Sequence, residues 1–521
     1  MMPPFSRTLP DLLREQAAVR PDGLAVICGA RQVSYAGLYA SAGRVAARLR
    51  ARGIARGDVV ALLMNNRLEW VEACFGAMLA GASVVAFSTW SKRDELQFLL
   101  EDSGPRAIIC RDNFAGQDFA ADLAAMPSGL CPDLVLMLTD GALPAYAERY
   151  DSTAGAPLAP LPPGLAAGPG DIALIIYTSG SSARPKSVPL LQAGVVENAF
   201  NIGERQGLGP NDRVLVAPPL FWSYGSANAM AATMSHGATL VLQSRFEPGE
   251  ALDLIEQHRC TSLYTLPAMT GALLAHPAFA RARTKSLRTG MTIGSPQDII
   301  AVSEQLGAAE ICNIYGQTES YGNCCVTPHD WPLAQRASCQ GPPLPGVSVR
   351  ITDSETGMIL PAGADGMIEV CGYVMGGYRG TSADQTAGVM TQDGFFQTGD
   401  LGHLTEDGAL VFVGRTTEMM KKGGINIAPA EIEDLLLRHP AVAQAGVVGV
   451  PDRVQGELVA AFVVLKHGMV ADAAELLAHC KALASRYKVP DRIEIQADLP
   501  TTVTGKLLRR DLKAQAIALL S

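Results

Sequence analysis

Residues 177–189 read YTSGSSARPKSVP, and their types could hold a polyphosphate. Thr178, Ser179, Ser181 and Ser182 supply hydroxyl donors around Gly180, and Lys186 adds a cation on a flexible arm. From Gly180 to Ser187 the spacing is G-x-x-x-x-P-K-S, one residue away from a Walker loop. That residue is decisive. A Walker loop wraps its backbone amides around phosphate at its second glycine, and Pro185 has no amide hydrogen and a fixed φ. The apolar run ALIIY before it predicts a buried strand that delivers the loop. Taken alone, the stretch is either a polyphosphate loop of another kind or a polar turn after a strand.

The elements around it alternate. SYAGLYASAGRVAARLRARG sets Leu38, Ala42, Val45 and Leu49 on one helical face, with Ser34 as the cap and Gly53 at the end. Short apolar runs follow at 59–64, 83–87, 106–110 and 134–138, and buried strands between helices predict a largely parallel sheet. Residues 153–170, almost all Ala, Pro, Gly and Leu, read as a connecting loop. A second α/β series is expected from residue 171, through 214–219, 239–243 and 262–267. From about 341 the strands shorten and turns multiply, which predicts a small β subdomain. A compact α+β segment closes the chain.

Composition narrows the function classes. With 521 residues, 48% of them hydrophobic, the chain exceeds one typical domain. Its formal charge of −9, without a dense basic cluster, argues against a nucleic-acid partner. The eleven cysteines include no C-x-x-C pair, so a reducing cytoplasm fits better than a disulfide framework. No apolar stretch approaches the ~20 residues of a membrane span. The beginning of the sequence, MMPPFSRTLPDLL, lacks the basic-then-apolar order of a signal peptide. No G-x-G-x-x-G for a dehydrogenase and no G-x-S-x-G elbow for a hydrolase occurs.

Further motifs occur in a telling order: IYGQTES (314–320), QTGD (397–400), GRTTEMMKKGGINIAPAEIE (414–433) and PTTVTGKLLRR (500–510). With the loop at 177–189 they span nearly the whole chain. In this the sequence resembles the adenylate-forming ligases, the superfamily of acyl-CoA synthetases, luciferases and peptide-synthetase adenylation domains, and most of all its acyl- and aryl-CoA ligases. Their phosphate loop carries the proline in place. The resemblance implies an α/β fold: a large N-terminal domain of two α/β sheets and a small β subdomain (1–415), then a small, mobile α+β lid domain (416–521). It implies that a carboxylic acid attacks the α-phosphate of ATP, and that the acyl-adenylate then passes to CoA. An amine or a carrier-protein thiol is the alternative acceptor.

The resemblance also assigns residues. Glu319 becomes the Mg2+ ligand, Thr318 a donor to the α-phosphate and Lys186 an aid to the leaving pyrophosphate. Thr178, Ser179, Gly180, Ser181 and Ser182 hold phosphate; Tyr315, Gly316 and Gln317, with Gly294, Ser295 and Pro296, surround the adenine side. Asp400 accepts the ribose hydroxyls and Arg415 contacts ribose or phosphate. Lys506 bridges the acid and the α-phosphate, while Gly423 and Gly424 form the approach for CoA. The protein is expected to act on small molecules as a monomer or homodimer.

Four positions depart from the pattern. Ala183 and Ser187 replace glycines of the phosphate loop, Thr417 stands at the hinge in place of Asp or Lys, and Trp222 stands where many acyl-CoA ligases have His. The surrounding PLFWSYGS offers no carboxylate for a substrate ammonium, so the acid is expected to lack an α-amine. Trp222, Ser223, Tyr224, Met230 and Tyr321 are the candidate acid pocket. Trp222→Gly should widen the range of acids that elicit pyrophosphate release; an unchanged profile would put the pocket elsewhere.

Overall fold

Apolar runs of the first sheet pair in parallel. Val59–Leu63 lies between Ser83–Ala86 and Ala107–Arg111, with Val60 opposite both Val84 and Ala107. Every residue of Val59–Leu63 is buried, as both faces of a parallel sheet must be when helices cover them. The computed structural model describes residues 7–162, 164–178, 185–416, 418–422, 425–452, 456–484, 488–501 and 507–520. It has two compact units, Met1–Ser348 with Val370–Phe396, and Val349–Glu369 with Gln397–Ser521.

The first unit contains two large sheets. One has seven strands in the order Lys186–Leu191, Ile172–Thr178, Ser83–Ala86, Val59–Leu63, Ala107–Arg111, Leu134–Leu138 and Glu148–Arg149. The other has eight, in the order Cys325–Val326, Glu310–Tyr315, Thr289–Thr292, Ser262–Tyr264, Arg213–Val216, Thr239–Leu242, Leu24–Cys28 and Arg31–Ser34. Chain order and sheet membership therefore differ from the sequence reading. Ile172–Thr178 does not open the second series; Leu174–Ile176 pair in parallel with Val84–Ala86 in the first sheet. Conversely, Leu24–Cys28 joins the second sheet beside Thr239–Leu242. Strand periodicity reports burial and says nothing of which neighbour completes the backbone hydrogen bonds.

The stretch 153–170 has neither helix nor strand among its described residues, yet it is not merely a tether. Leu158 N donates to Gly43 O at 2.9 Å, and Leu158 packs against the main core. Ser348–Thr352, Gly366–Cys371, Phe396–Leu404 and Leu410–Arg415 form a four-stranded sheet. Val442–Asp452 pairs antiparallel with Gly456–Leu465 in a further sheet, against which Pro429–Leu437 and Ala473–Leu483 contribute apolar side chains. Among the described residues, no helix is long and apolar enough to cross a membrane.

The helix Tyr35–Ala51 follows the sequence reading closely. Ser34 Oγ accepts from Gly37 N at 3.2 Å, Leu38, Ala42, Val45 and Leu49 are buried, and Gly53 has φ +80° just beyond the end. Ser34→Ala should therefore cost about 1 kcal/mol in chemical denaturation, and Ser34→Asp should cost little.

Candidate active site

The strand Glu310–Tyr315 ends in a reversal. At Gly316 a Cβ would lie 2.4 Å from Gly322 O, so only glycine lets the chain double back there. Thr318–Ser320 then form one 3-10 turn, closed by Gln317 N donating to Ser320 Oγ at 3.0 Å. Tyr321 follows at φ +58°, a left-handed conformation that costs a side chain about 1–2 kcal/mol. Three partners hold it there. Asn228 Nδ2 donates to Tyr321 O at 2.8 Å, Asn198 Nδ2 donates to the same oxygen at 3.4 Å, and Leu191 N donates to the Tyr321 hydroxyl at 2.9 Å. Gly194 makes room, since a Cβ there would lie 2.5 Å from the tyrosine ring.

This clamp presents Thr318 and Glu319. Thr318 Oγ1 is 3.0 Å from Ser223 Oγ, and Glu319 is only 7% exposed. The Tyr378 hydroxyl donates to Glu319 Oε1 at 3.0 Å, and Lys186 Nζ sits 4.9 Å from the centre of the same tyrosine ring. Burial, then the Glu319 charge, pushes the Tyr378 hydroxyl up from its ordinary pKa, so it remains a proton donor. Lys186 itself is placed by strand register: it stands opposite Thr178 at the end of an antiparallel pair. The sequence therefore brings Thr178, Lys186, Ser223, Thr318 and Glu319 into one region of the first unit. Tyr378 joins them without any motif having singled it out; its hydroxyl-to-carboxylate bond spans 59 residues.

Among the residues that the resemblance sets around adenine, Tyr315 is buried at 4% exposure. Gly294 has φ +152°, and a Cβ there would lie 2.6 Å from Asp298 Oδ2. Ser295 caps Pro296–Ile300, its amide and hydroxyl both donating to Asp298 Oδ2 at 2.8 Å. Cys324 N donates to Tyr315 O at 2.9 Å, and Cys325 pairs opposite Tyr315. Burial raises the Cys325 thiol well above the usual range and pushes Cys312, on the same strand as Tyr315, up to about 12.

The expected acid-pocket residues divide. Met230 is fully buried in the core, and Tyr321 is 3% exposed in its clamp. The Tyr224 hydroxyl donates to Met291 O at 2.9 Å and to Thr265 O at 3.2 Å. Trp222 keeps some exposure and meets Trp90 edge-on at 5.3 Å, while Trp90 meets Phe221 at 5.2 Å. Trp90 is 38% exposed and lies in no motif.

In the second unit, Asp400 is 3% exposed and pairs in register with Arg415, whose Nε is 3.2 Å from Asp400 Oδ1. Arg509 Nε reaches Glu418 Oε2 at 3.0 Å, its Nη2 reaches Glu433 Oε2 at 3.0 Å, and its Nη1 donates to Val447 O at 2.8 Å. Thr501 and Leu507 form a bridge, and Leu508 N donates to Pro500 O at 2.8 Å. Ser179, Gly180, Ser181, Ser182, Ala183, Thr417, Gly423, Gly424 and Lys506 lie outside the described residues.

The chain is similar to known proteins over nearly its whole length. The profile described as "AMP-binding enzyme" matches residues 13–379, and that of the "AMP-binding enzyme C-terminal domain" matches residues 431–506. A feruloyl-CoA synthase of Amycolatopsis sp is 34% identical, with 96% of this chain and 97% of that protein covered. The ATP-bound structure of MatB from Rhodopseudomonas palustris superposes with a TM-score of 0.87 at 29% identity, covering 98% of this chain and 100% of that one. The amide bond synthetase McbA from Marinactinospora thermotolerans gives a TM-score of 0.85 at 27% identity, covering 97% and 99%.

Gly194→Ala tests the clamp. Ala is the better helix former by about 1 kcal/mol, yet the collision with Tyr321 should lower stability by about 1–3 kcal/mol. It should also reduce pyrophosphate release, because Thr318 and Glu319 ride on the displaced turn.

Proposed function

This chain belongs to the AMP-binding enzyme family and is an AMP-forming ligase that activates a carboxylic acid as its acyl-adenylate; we propose that it passes the acyl group to CoA and that the acid is apolar and lacks an α-amine. The observation that carries the site reading is the single turn on which buried Glu319 and Thr318 meet Ser223, Tyr378 and, across the tyrosine ring, Lys186.

In the first half-reaction a carboxylate oxygen bonds to the α-phosphorus of ATP and the bond to the bridging oxygen breaks, releasing pyrophosphate. Both reactants are anions, so the barrier is lowered chiefly by positioning and charge neutralisation. Thr318 donates to the α-phosphate, Lys186 neutralises charge on the departing pyrophosphate, and Lys506 bridges the acid and the phosphate. Asp400 accepts from the ribose hydroxyls and Tyr315 stacks on adenine. Mg2+ suits the donor set: one buried carboxylate with neighbouring hydroxyls is a hard oxygen site that leaves the remaining positions to phosphate and water. Glu319 would hold it, and the ion would supply charge neutralisation to the phosphates. In the second half-reaction the CoA thiolate attacks the acyl carbon and AMP departs, with the C-terminal domain turned to admit the thiol.

The Trp90, Phe221 and Trp222 rings support an apolar acid, and no carboxylate lies in the segment 219–226 to receive an ammonium group. The likeness to an amide bond synthetase favours a second acceptor, an amine. We place the protein in the cytoplasm, as a monomer or homodimer acting on small molecules without a nucleic-acid partner.

Pyrophosphate release with Mg-ATP over aryl, alicyclic and fatty acids, with and without CoA, tests the reading. Sustained turnover only with CoA supports the thioester; release that CoA does not accelerate turns the acceptor to an amine or carrier thiol. Lys506→Ala should abolish most adenylate formation but spare thioester formation from a supplied acyl-adenylate. Equal loss of both steps would remove the role given to Lys506.

A further inference from the structure

The segment GGYRG, residues 376–380, is given no task in the two half-reactions above, yet its Tyr378 touches two of their charged groups. We propose that Tyr378 is a positioning residue for the nucleotide site, aligning Glu319 through its hydroxyl and Lys186 through its ring face. The inference rests on the reading of Glu319 as the Mg2+ ligand and Lys186 as a phosphate contact.

The geometry is compact. Tyr378 is 7% exposed, its hydroxyl is 3.0 Å from Glu319 Oε1, and the Lys186 ammonium is 4.9 Å from its ring centre. A hydrogen bond to one carboxylate oxygen fixes rotation about the last side-chain bond, which otherwise is broad. The ring quadrupole attracts an ammonium from its face and leaves the three N–H donors able to turn toward phosphate. One side chain thus orients an anion by its edge and a cation by its face.

The backbone around Tyr378 is tied to the same two elements. Met375 N donates to Glu319 O at 2.7 Å, on the turn itself, and Arg379 N donates to Ser187 O at 3.0 Å, one residue past Lys186. Tyr378 N donates to Thr386 Oγ1 at 2.9 Å, which fixes the tyrosine against its own segment. Residues 375–379 therefore splice the Thr318–Ser320 turn to the strand Lys186–Leu191. Tyr378 sits at the splice. A residue present only to fill space would need the ring and not the hydroxyl.

Two substitutions separate the two tasks. Tyr378→Phe keeps the ring and removes the hydroxyl; Tyr378→Leu removes both. The readout is ATP binding by calorimetry, once with Mg2+ and once with EDTA, with the thermal unfolding midpoint as the check on folding. Tyr378→Phe should weaken Mg-ATP binding about tenfold, the scale of one hydrogen bond to a charged group, and leave metal-free ATP binding within about twofold. Tyr378→Leu should weaken both. Equal weakening of both by the Phe variant, or no weakening of Mg-ATP binding, overturns the inference. If the Leu variant fails to fold, the Phe variant decides alone. Glu319→Gln separates this failure from that of the underlying reading. If it abolishes the Mg2+ contribution while Tyr378→Phe does not reduce it, only the role of Tyr378 falls. If it leaves the Mg2+ contribution intact, the metal assignment falls and takes this inference with it.

Discussion

The site depends on a backbone conformation that Tyr321 would not choose. A ring-bearing residue at φ +58° is held against its own preference by asparagine side chains and a borrowed backbone amide. Asn198 and Asn228 come from different helical segments, and Gly194 gives the ring its space. The strain is local and its restraints are spread over residues distant in sequence. That division lets a three-residue turn hold a buried carboxylate and a hydroxyl in fixed directions, as a site built on preorganised charge requires.

The described ends of the proposed phosphate-binding stretch differ from those of a Walker loop. There, the loop runs into a helix whose amino end faces the phosphates. Here the described residues that flank it, Thr178 and Lys186, end two antiparallel strands in register. Pro185 fits this plan because a strand entrance tolerates a residue without an amide hydrogen. Lys186 brings a charge to the end of this pair, and Tyr378 gives that side chain a resting face.

Much of this was legible in the sequence. Ser34, the buried face of its helix and most strands were visible because capping and periodicity are local properties. The motif residues were visible because five ordered motifs carried the family resemblance. The sheet exchange, in which Ile172–Thr178 enters the first sheet and Leu24–Cys28 the second, was not. Partner choice in this parallel sheet is settled by contacts far away in the chain, as between Leu174 and Val84 or Val26 and Leu240. Tyr378 and Trp90 escaped for the same reason. A tyrosine after two glycines and a tryptophan in a loop have no spacing signature; their meaning lies in what reaches them across the fold. The clamp residues Asn198 and Asn228 read simply as polar residues in helices, since nothing local marks an asparagine that will serve a distant carbonyl.

Two buried cysteines on the paired strands at Tyr315, Cys312 and Cys325, carry a last consequence. An acyl-adenylate is a potent acylating agent, and a protein that makes one near its own nucleophiles risks modifying itself. Thiolate, and not thiol, is the reactive form. Cys325 stands opposite Tyr315 and Cys312 lies three residues before it, both without exposed surface. Burial raises both thiols above their ordinary range and so disfavours the thiolate. The dry packing that supports this strand also serves as chemical insulation, disfavouring in these two thiols the form that attacks an acyl group.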